Sequence, residues 1–264
     1  MYDFKYERAE SVDHAVKMIQ AGGQLLAGGQ TLLASMKQRL TQPEALIDLG
    51  RMNELVGIKQ EGSNFIIGAM TRHQDVAQHA GIKQHIPGLA HLAGGIGDKQ
   101  VRAMGTIGGS LANNDPAACY PSAVMALDAT IHTNTRTIKA DDYFLGMYST
   151  ALEPDEVITA VSFPIPKKSA YAKFKQPASR YALVGVFVAQ TDHGVRVAIT
   201  GAGNGVFRHD GLENALQASF TAAAVDHIKI DDSELSGDLH ASAAYRASLI
   251  TTQTQRAVDA ALAT

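Results

Sequence analysis

Leu26-Ala27-Gly28-Gly29-Gln30-Thr31-Leu32-Leu33 runs from a short apolar stretch through two glycines into a segment with helical spacing. The reading of this stretch decides the fold. Upstream, Val12, Ala15, Val16 and Ile19 recur at the interval of an amphipathic helix, with Ser11 placed to cap it and Gly22-Gly23 to end it. Gln24 to Ala27 then reads as a buried strand, and Leu32, Leu33, Met36 and Leu40 form a second helical face. Ala45-Leu46-Ile47-Asp48 is another short strand, so residues 1–54 predict a small α/β unit with parallel strands. Backbone N–H groups at a strand–glycine–helix junction point outward unpaired, and residues without side chains let an anion approach the main chain. The same junction also occurs merely to turn the chain.

From Leu55 the pattern changes. Val56 to Lys59 and Asn64 to Ile67 flank Glu61-Gly62-Ser63 as a hairpin, Thr71 is placed to cap a helix through His79, and Pro87 to Leu92 opens another. Ala123 to Ala129 predicts a further helix, residues 131–133 and 137–139 a second hairpin, and Val157 to Phe163 a strand. Pro164-Ile165-Pro166-Lys167-Lys168 suits an exposed connection, which places the main boundary there: 1–166 (subdomains 1–54 and 55–166), then 167–264. Beyond it, Leu183 to Gln190 and Val195 to Thr200 are β-rich runs joined by Thr191-Asp192-His193-Gly194. The last helix, Ser242 to Leu262, is expected to lay Leu249, Val258 and Leu262 against a sheet.

The 264 residues are 45% hydrophobic and 19% charged, ordinary values for a chain that folds throughout. A net charge of −3 without a basic stripe argues against nucleic-acid binding. The first residues lack a signal-peptide order and no apolar run nears the roughly 20 residues of a membrane span, so a cytoplasmic protein is expected. The one cysteine, Cys119, cannot hold an iron–sulfur cluster alone, since such clusters use about four cysteine ligands. Ten histidines without ligand spacing give no metal site.

A second glycine turn, Gly105-Thr106-Ile107-Gly108-Gly109-Ser110, leads into Leu111-Ala112-Asn113-Asn114-Asp115-Pro116 and offers short uncharged hydrogen-bonding side chains. Neither turn carries the lysine of a P-loop, which favours a dinucleotide held by backbone donors over phosphate transfer. Gly201-Ala202-Gly203 begins like a dinucleotide fingerprint, but the third glycine position holds Val206 and the preceding strand belongs to a hairpin; it reads as a structural turn.

Taken together, Leu26 to Leu33 and Gln100-Val101-Arg102 leading into Gly105 to Ala112 resemble the paired flavin motifs of the medium, FAD-binding subunit of the molybdenum hydroxylases, the group of carbon monoxide dehydrogenase and xanthine dehydrogenase. Asp115-Pro116-Ala117, Phe144 to Pro154, Lys173 to Val186 and Tyr245-Arg246 look like the same family's landmarks in order, so the likeness spans essentially the whole chain. It implies an α+β architecture: a two-subdomain FAD-binding fold of the PCMH type, then a C-terminal domain of antiparallel sheet plus helices. It further implies that the backbone of Ala27, Gly28, Gly29, Gln30, Thr31 and Leu32 holds the pyrophosphate of a non-covalent FAD, joined by Thr106, Gly109, Ser110 and Asn113. Ile107, Gly108, Asp115 and Cys119 fall among the same cofactor-binding positions. Gly97 and Ile158 would lie against the cofactor and Lys173 or Lys175 would approach the isoalloxazine edge. Two departures stand out. Cys119 occupies a position where the family commonly has Asp, and Pro177 and Arg180 stand where related chains often have Arg and Asp. A buried packing role is the simpler reading of Cys119.

The resemblance also implies partners: a small subunit with iron–sulfur clusters, a large subunit with a molybdenum–pterin cofactor, an external electron acceptor, and a heterohexamer of two copies of each subunit. Three rival readings remain. One is a single-chain FAD-dependent oxidase or reductase, often with a flavin-linked histidine, although no histidine lies in or beside either turn in sequence. The others are an NAD-dependent dehydrogenase built on the Gly201 region and a cofactor-free binding or assembly protein.

Overall fold

A computed structural model describes residues 1–264. The N-terminal unit comprises β1 (Lys5–Arg8), α1 (Val12–Gln20), β2 (Gln24–Leu26), α2 (Leu32–Lys37) and β3 (Ala45–Asp48). Its strands pair in the order β1-β3-β2, all parallel. Ser11 caps α1 by accepting from His14 N at 3.1 Å. Ala15, Ile47 and Leu49 form a small core of their own with Met52, Leu55 and Met70. Leu40 does not join it: α2 stops at Lys37, Arg39 turns the chain at φ 60°, and Leu40 is left 74% exposed.

The second unit carries β4 (Ile58–Glu61), β5 (Asn64–Gly68), α3 (His73–Gln78), α4 (Ala80–His85), α5 (Pro87–Gly94), α6 (Lys99–Met104), α7 (Ile107–Asn113) and α8 (Tyr120–Ala126). There follow β6 (Thr130–Thr133), β7 (Thr137–Lys139), α9 (Ala140–Tyr143), the small pair β8 (Phe144–Gly146) and β9 (Ser149–Thr150), and β10 (Ile158–Pro164). Its antiparallel sheet has the order β4-β5-β10-β6-β7. The predicted hairpins are present, but Thr71 is not a helix cap. Arg72 stands at the N-cap of α3 without a side-chain bond, while Thr71 Oγ1 donates to Gly57 O and accepts from Gly57 N.

Three residues separate β10 from β11 (Lys168–Lys175), which opens an antiparallel sheet continued in order by β12 (Ala182–Thr191), β13 (Gly194–Thr200) and β14 (Phe207–Arg208). Helices α10 (Asp210–Ala218) and α11 (Ala243–Leu262) cover one face. The eight residues of β12 from Ala182 to Ala189 are all buried, because Val184, Val186 and Val188 face these helices while Phe187 and Ala189 join the core of the second unit. Leu249 and Val258 of α11 are buried as expected, whereas Leu262, at the last turn past the sheet, is 47% exposed. Gly201 is a structural turn: its φ is +81°, its N–H donates to Pro116 O at 2.8 Å, and β13 before it is antiparallel on both sides.

Candidate functional site

The three units enclose a cleft of about 850 Å³, within the range of small-molecule and cofactor sites. Gly28 and Gly29 line it from one side, Thr106, Gly108, Gly109 and Ser110 from another. The two glycine turns touch. A Cβ added at Gly28 would overlap the Met104 carbonyl oxygen and stand 2.7 Å from Gly105 Cα, so only glycine lets one backbone rest on the other.

The turns differ in what they leave free. None of the backbone N–H groups from Ala27 to Leu32 has an acceptor within the protein; the one side-chain bond in the turn is Gln30 Nε2 donating to Gly28 O at 3.1 Å. Gly29, at φ +70°, provides the left-handed step that turns successive N–H groups inward, the geometry of an anion-binding nest. Helix α2 has six residues, so this capacity lies in the turn's donors rather than in a long helix dipole. The second turn is already satisfied. Ile107 N donates to Thr71 O at 3.1 Å, Gly108 N to Ala69 O at 2.8 Å and Gly109 N to Thr106 Oγ1 at 3.2 Å. What it presents to the cleft is side chains, Ser110 and Asn113.

Of the positions singled out from sequence, Ala27 to Leu32, Gly97, Thr106, Gly108 to Ser110, Asn113, Asp115, Cys119, Ile158 and Lys173 line this one cleft. Two do not. Ile107 is fully buried in the core with its N–H spent on Thr71, and Lys175 lies outside the lining on the exposed end of β11. Lys173 reaches the wall but is already engaged: Nζ donates to Gly95 O (2.8 Å), Arg180 O (3.0 Å) and Cys119 Sγ (3.4 Å). It thereby ties the β11–β12 loop to the end of α5. Arg180, with φ 63°, turns its carbonyl to Lys173 while its guanidinium donates to Gly97 O at 3.5 Å.

Sequence reading missed several lining residues. His73 sits against the second turn, its backbone N–H donating to Gly105 O at 3.0 Å, although it is 32 residues away in the chain. Burial, assisted by Arg102, pushes its imidazole down to about 4, so it is neutral at neutral pH; it packs on Tyr120 at 5.3 Å between ring centroids. Met70, Leu55 and Leu49 line the cleft from the N-terminal core, and the exposed Leu40 lines its edge. Apart from Leu40, whose helical spacing points to a core rather than to a cleft, no local periodicity marks these residues, because they meet only where the units meet.

Glu156 closes another wall. Its side chain is 2% exposed and accepts from Arg136 Nε at 2.8 Å and Nη2 at 2.9 Å, and from the Thr133 and Thr135 hydroxyls. Arg136 foremost, then the Glu153 backbone N–H donating at 2.9 Å and the two hydroxyls, holds its carboxyl at about 2 against the opposing effect of burial.

Open donors facing a partly apolar cleft beside a parallel α/β unit fit the class of proteins that hold a phosphate-bearing cofactor. Residues 2–166 match the family described as the FAD binding domain in molybdopterin dehydrogenase, and the chain belongs to it. It is 36% identical to the carbon monoxide dehydrogenase medium chain of Hydrogenophaga pseudoflava, covering 98% of this chain and 97% of that one. It is 32% identical to the 6-hydroxypseudooxynicotine dehydrogenase complex subunit alpha of Paenarthrobacter nicotinovorans, over 98% and 94% of the two chains. Among solved structures it is similar to carbon monoxide dehydrogenase from Hydrogenophaga pseudoflava lacking the Mo-pyranopterin moiety, with a TM-score of 0.90, 34% identity and coverage of 99% and 98%. The chain is thus an FAD-binding medium subunit of the molybdenum hydroxylase family and an oxidoreductase component. No helix is long and apolar enough to cross a membrane.

Proposed function

We propose that the cleft holds one FAD without a covalent bond and that the chain relays electrons from iron–sulfur clusters on a small partner to an external acceptor. A large partner carries the molybdenum–pterin cofactor. The observation that carries this reading is the run of unpaired N–H groups from Ala27 to Leu32, which suits a pyrophosphate and has no other use within the protein. Ser110 and Asn113 supply side-chain hydrogen bonds, and Gly97, Ile158, Cys119 and Lys173 form the walls further along. Bound FAD supplies the ability to take up an electron pair and release it singly; the protein's share is to hold, orient and tune it. The single cysteine supports the need for a cluster-bearing partner. The division into 1–166 and 167–264 is supported by the change of sheet between β10 and β11, although Pro166 in the link is buried rather than exposed and the two parts share a core.

Calorimetric titration of the purified full chain is expected to show tight 1:1 binding of FAD and weak binding of NAD. The reverse preference would overturn the reading. Denaturation is expected to release all flavin; flavin retained on the polypeptide in mass spectrometry would instead favour a single-chain flavoenzyme, with the buried His73 the first residue to inspect. Co-expression with candidate partner chains should yield a complex containing molybdenum and iron.

A further inference from the structure

Two cations line the cleft, Lys173 and Arg180, and neither forms an ion pair. Three carboxylates line it, and each is committed elsewhere. Glu156 is held by Arg136, and Glu153 lies 4.0 Å from the same guanidinium. Asp115 accepts from Ala117 N at 2.9 Å and from the Tyr148 hydroxyl at 3.3 Å. The three acceptors around Lys173 Nζ are two carbonyl oxygens and a thiol, so its hydrogen bonds are satisfied while its charge is not neutralised. Cys119 is the side chain that decides this balance, because it is the lining residue in contact with Lys173 where a carboxylate would cancel the charge. Cys119 is 5% exposed and Lys173 is partly buried, so solvent screens this charge less than a surface one.

We infer that Cys119, by leaving Lys173 unneutralised, makes this end of the cleft prefer a negatively charged occupant. With the Arg180 guanidinium adding to it, the chain binds reduced FAD more tightly than oxidised FAD. The inference rests on the proposed reading that FAD fills the cleft with its ring system toward Lys173. Two-electron reduction of a flavin with uptake of one proton adds one negative charge to that ring system, and charge placed near it is a lever by which a protein sets its potential. Cys119 and Arg180 are tuning residues here, and the group they act on is the cofactor rather than the substrate of the complex.

The test is the midpoint potential of FAD bound to the full chain, with the affinities of oxidised and reduced FAD measured separately. Cys119→Asp should weaken reduced FAD relative to oxidised FAD about tenfold, a fall of about 30 mV for a two-electron couple. Cys119→Asn, polar but uncharged, should leave the potential near that of the native chain. Arg180→Gln, on the exposed loop, should weaken reduced FAD relative to oxidised FAD about threefold, and Arg180→Glu should do so further. A potential unmoved by Cys119→Asp, or moved equally by Cys119→Asn, would overturn the inference. So would equal weakening of both oxidation states, which would assign the cations to the phosphates or to the fold. If Cys119→Asp does not fold, the Arg180 pair decides in the same way. Failure of the native chain to bind FAD at all would instead sink the underlying reading, and the first titration shows it.

Discussion

Replacing Gly28 with alanine tests the contact between the two glycine turns. The added Cβ would overlap the Met104 carbonyl oxygen and stand 2.7 Å from Gly105 Cα and 2.8 Å from the Met104 carbonyl carbon. All three are backbone atoms, so no side-chain rotation relieves the contact. Carbon atoms separate to about 3.5 Å at van der Waals contact, so the two turns must move apart by about 0.8 Å. That shift is enough to break or lengthen one or two of the N–H bonds that Ala27 to Leu32 would make to a pyrophosphate. Hydrogen bonds to a charged group contribute about 1.5–3 kcal/mol each, so FAD binding should weaken roughly a hundredfold. Gly29→Ala is the control. Its Cβ would meet the Leu33 and Leu26 side chains, which can rotate, and the remaining cost is the left-handed backbone, about 1–2 kcal/mol. Binding there should weaken about tenfold. Fluorescence titration of FAD against each variant, with far-UV circular dichroism to confirm folding, gives the ranking. Near-native affinity for Gly28→Ala, or a larger loss for Gly29→Ala, would refute the contact between turns as the determinant of the site.

Glu156 has a carboxyl held at about 2 in the folded chain against an ordinary value of 4.5, so its contribution to stability is complete above about pH 4.5 and fades as pH falls toward 2. Melting temperatures measured from pH 6 to pH 3 should fall less steeply for Glu156→Gln than for the native chain, although that variant should start lower; parallel curves would contradict this. His73, pushed down to about 4 by burial, takes up a proton more readily in the unfolded chain below about pH 6.5, so it withdraws stability between 6.5 and 4. His73→Phe should flatten that part of the profile, and an unchanged slope in chemical denaturation would count against it. Arg246 is 3% exposed and donates to Leu183 O at 2.7 Å, Gly201 O at 2.8 Å and Asp238 at 2.8 Å. Arg246→Met should cost about 3 kcal/mol by orphaning these acceptors, read as a fall in the urea midpoint; a loss below about 1 kcal/mol would show that water replaces the guanidinium.

The secondary structure of the N-terminal unit was legible because its signals are local: Ser11 before an amphipathic run, glycines at both ends, and alternation of helix and strand. The misread residues lie where a local signal is cut short by a backbone turn or claimed by a distant partner. Leu40 kept helical spacing, yet the left-handed Arg39 ends the helix before it and leaves it at the cleft edge. Thr71 has the chemistry of a cap, but Gly57, on the edge of a hairpin, claims its hydroxyl. The two glycine turns were equally visible as glycine turns. That one is open and the other closed depends on the carbonyls of Thr71 and Ala69, 36 and 39 residues before Ile107 and Gly108 respectively, and no spacing within either turn encodes that difference.

The far wall of the cleft explains why the C-terminal sheet belongs to the same folded body. Arg196 on β13 is 8% exposed and reaches across to the second unit, donating to Met125 O at 2.8 Å, pairing with Asp141 and lying 3.6 Å from Asp128. Tyr171, Phe187 and Ala198 of the sheet are buried in the core that also contains Cys119 and Tyr120. These contacts seat β12 and β13 on α8 while β11 packs on α5, and Lys173 then meets Gly95 and Cys119 at hydrogen-bonding distance. A small slip of the sheet would break that meeting and carry Arg180 and Tyr181 away from the cleft. The apolar packing between the units is therefore what sets the electrostatics at the end of the site, which makes the stability of the C-terminal sheet and the tuning of the cofactor two consequences of one interface.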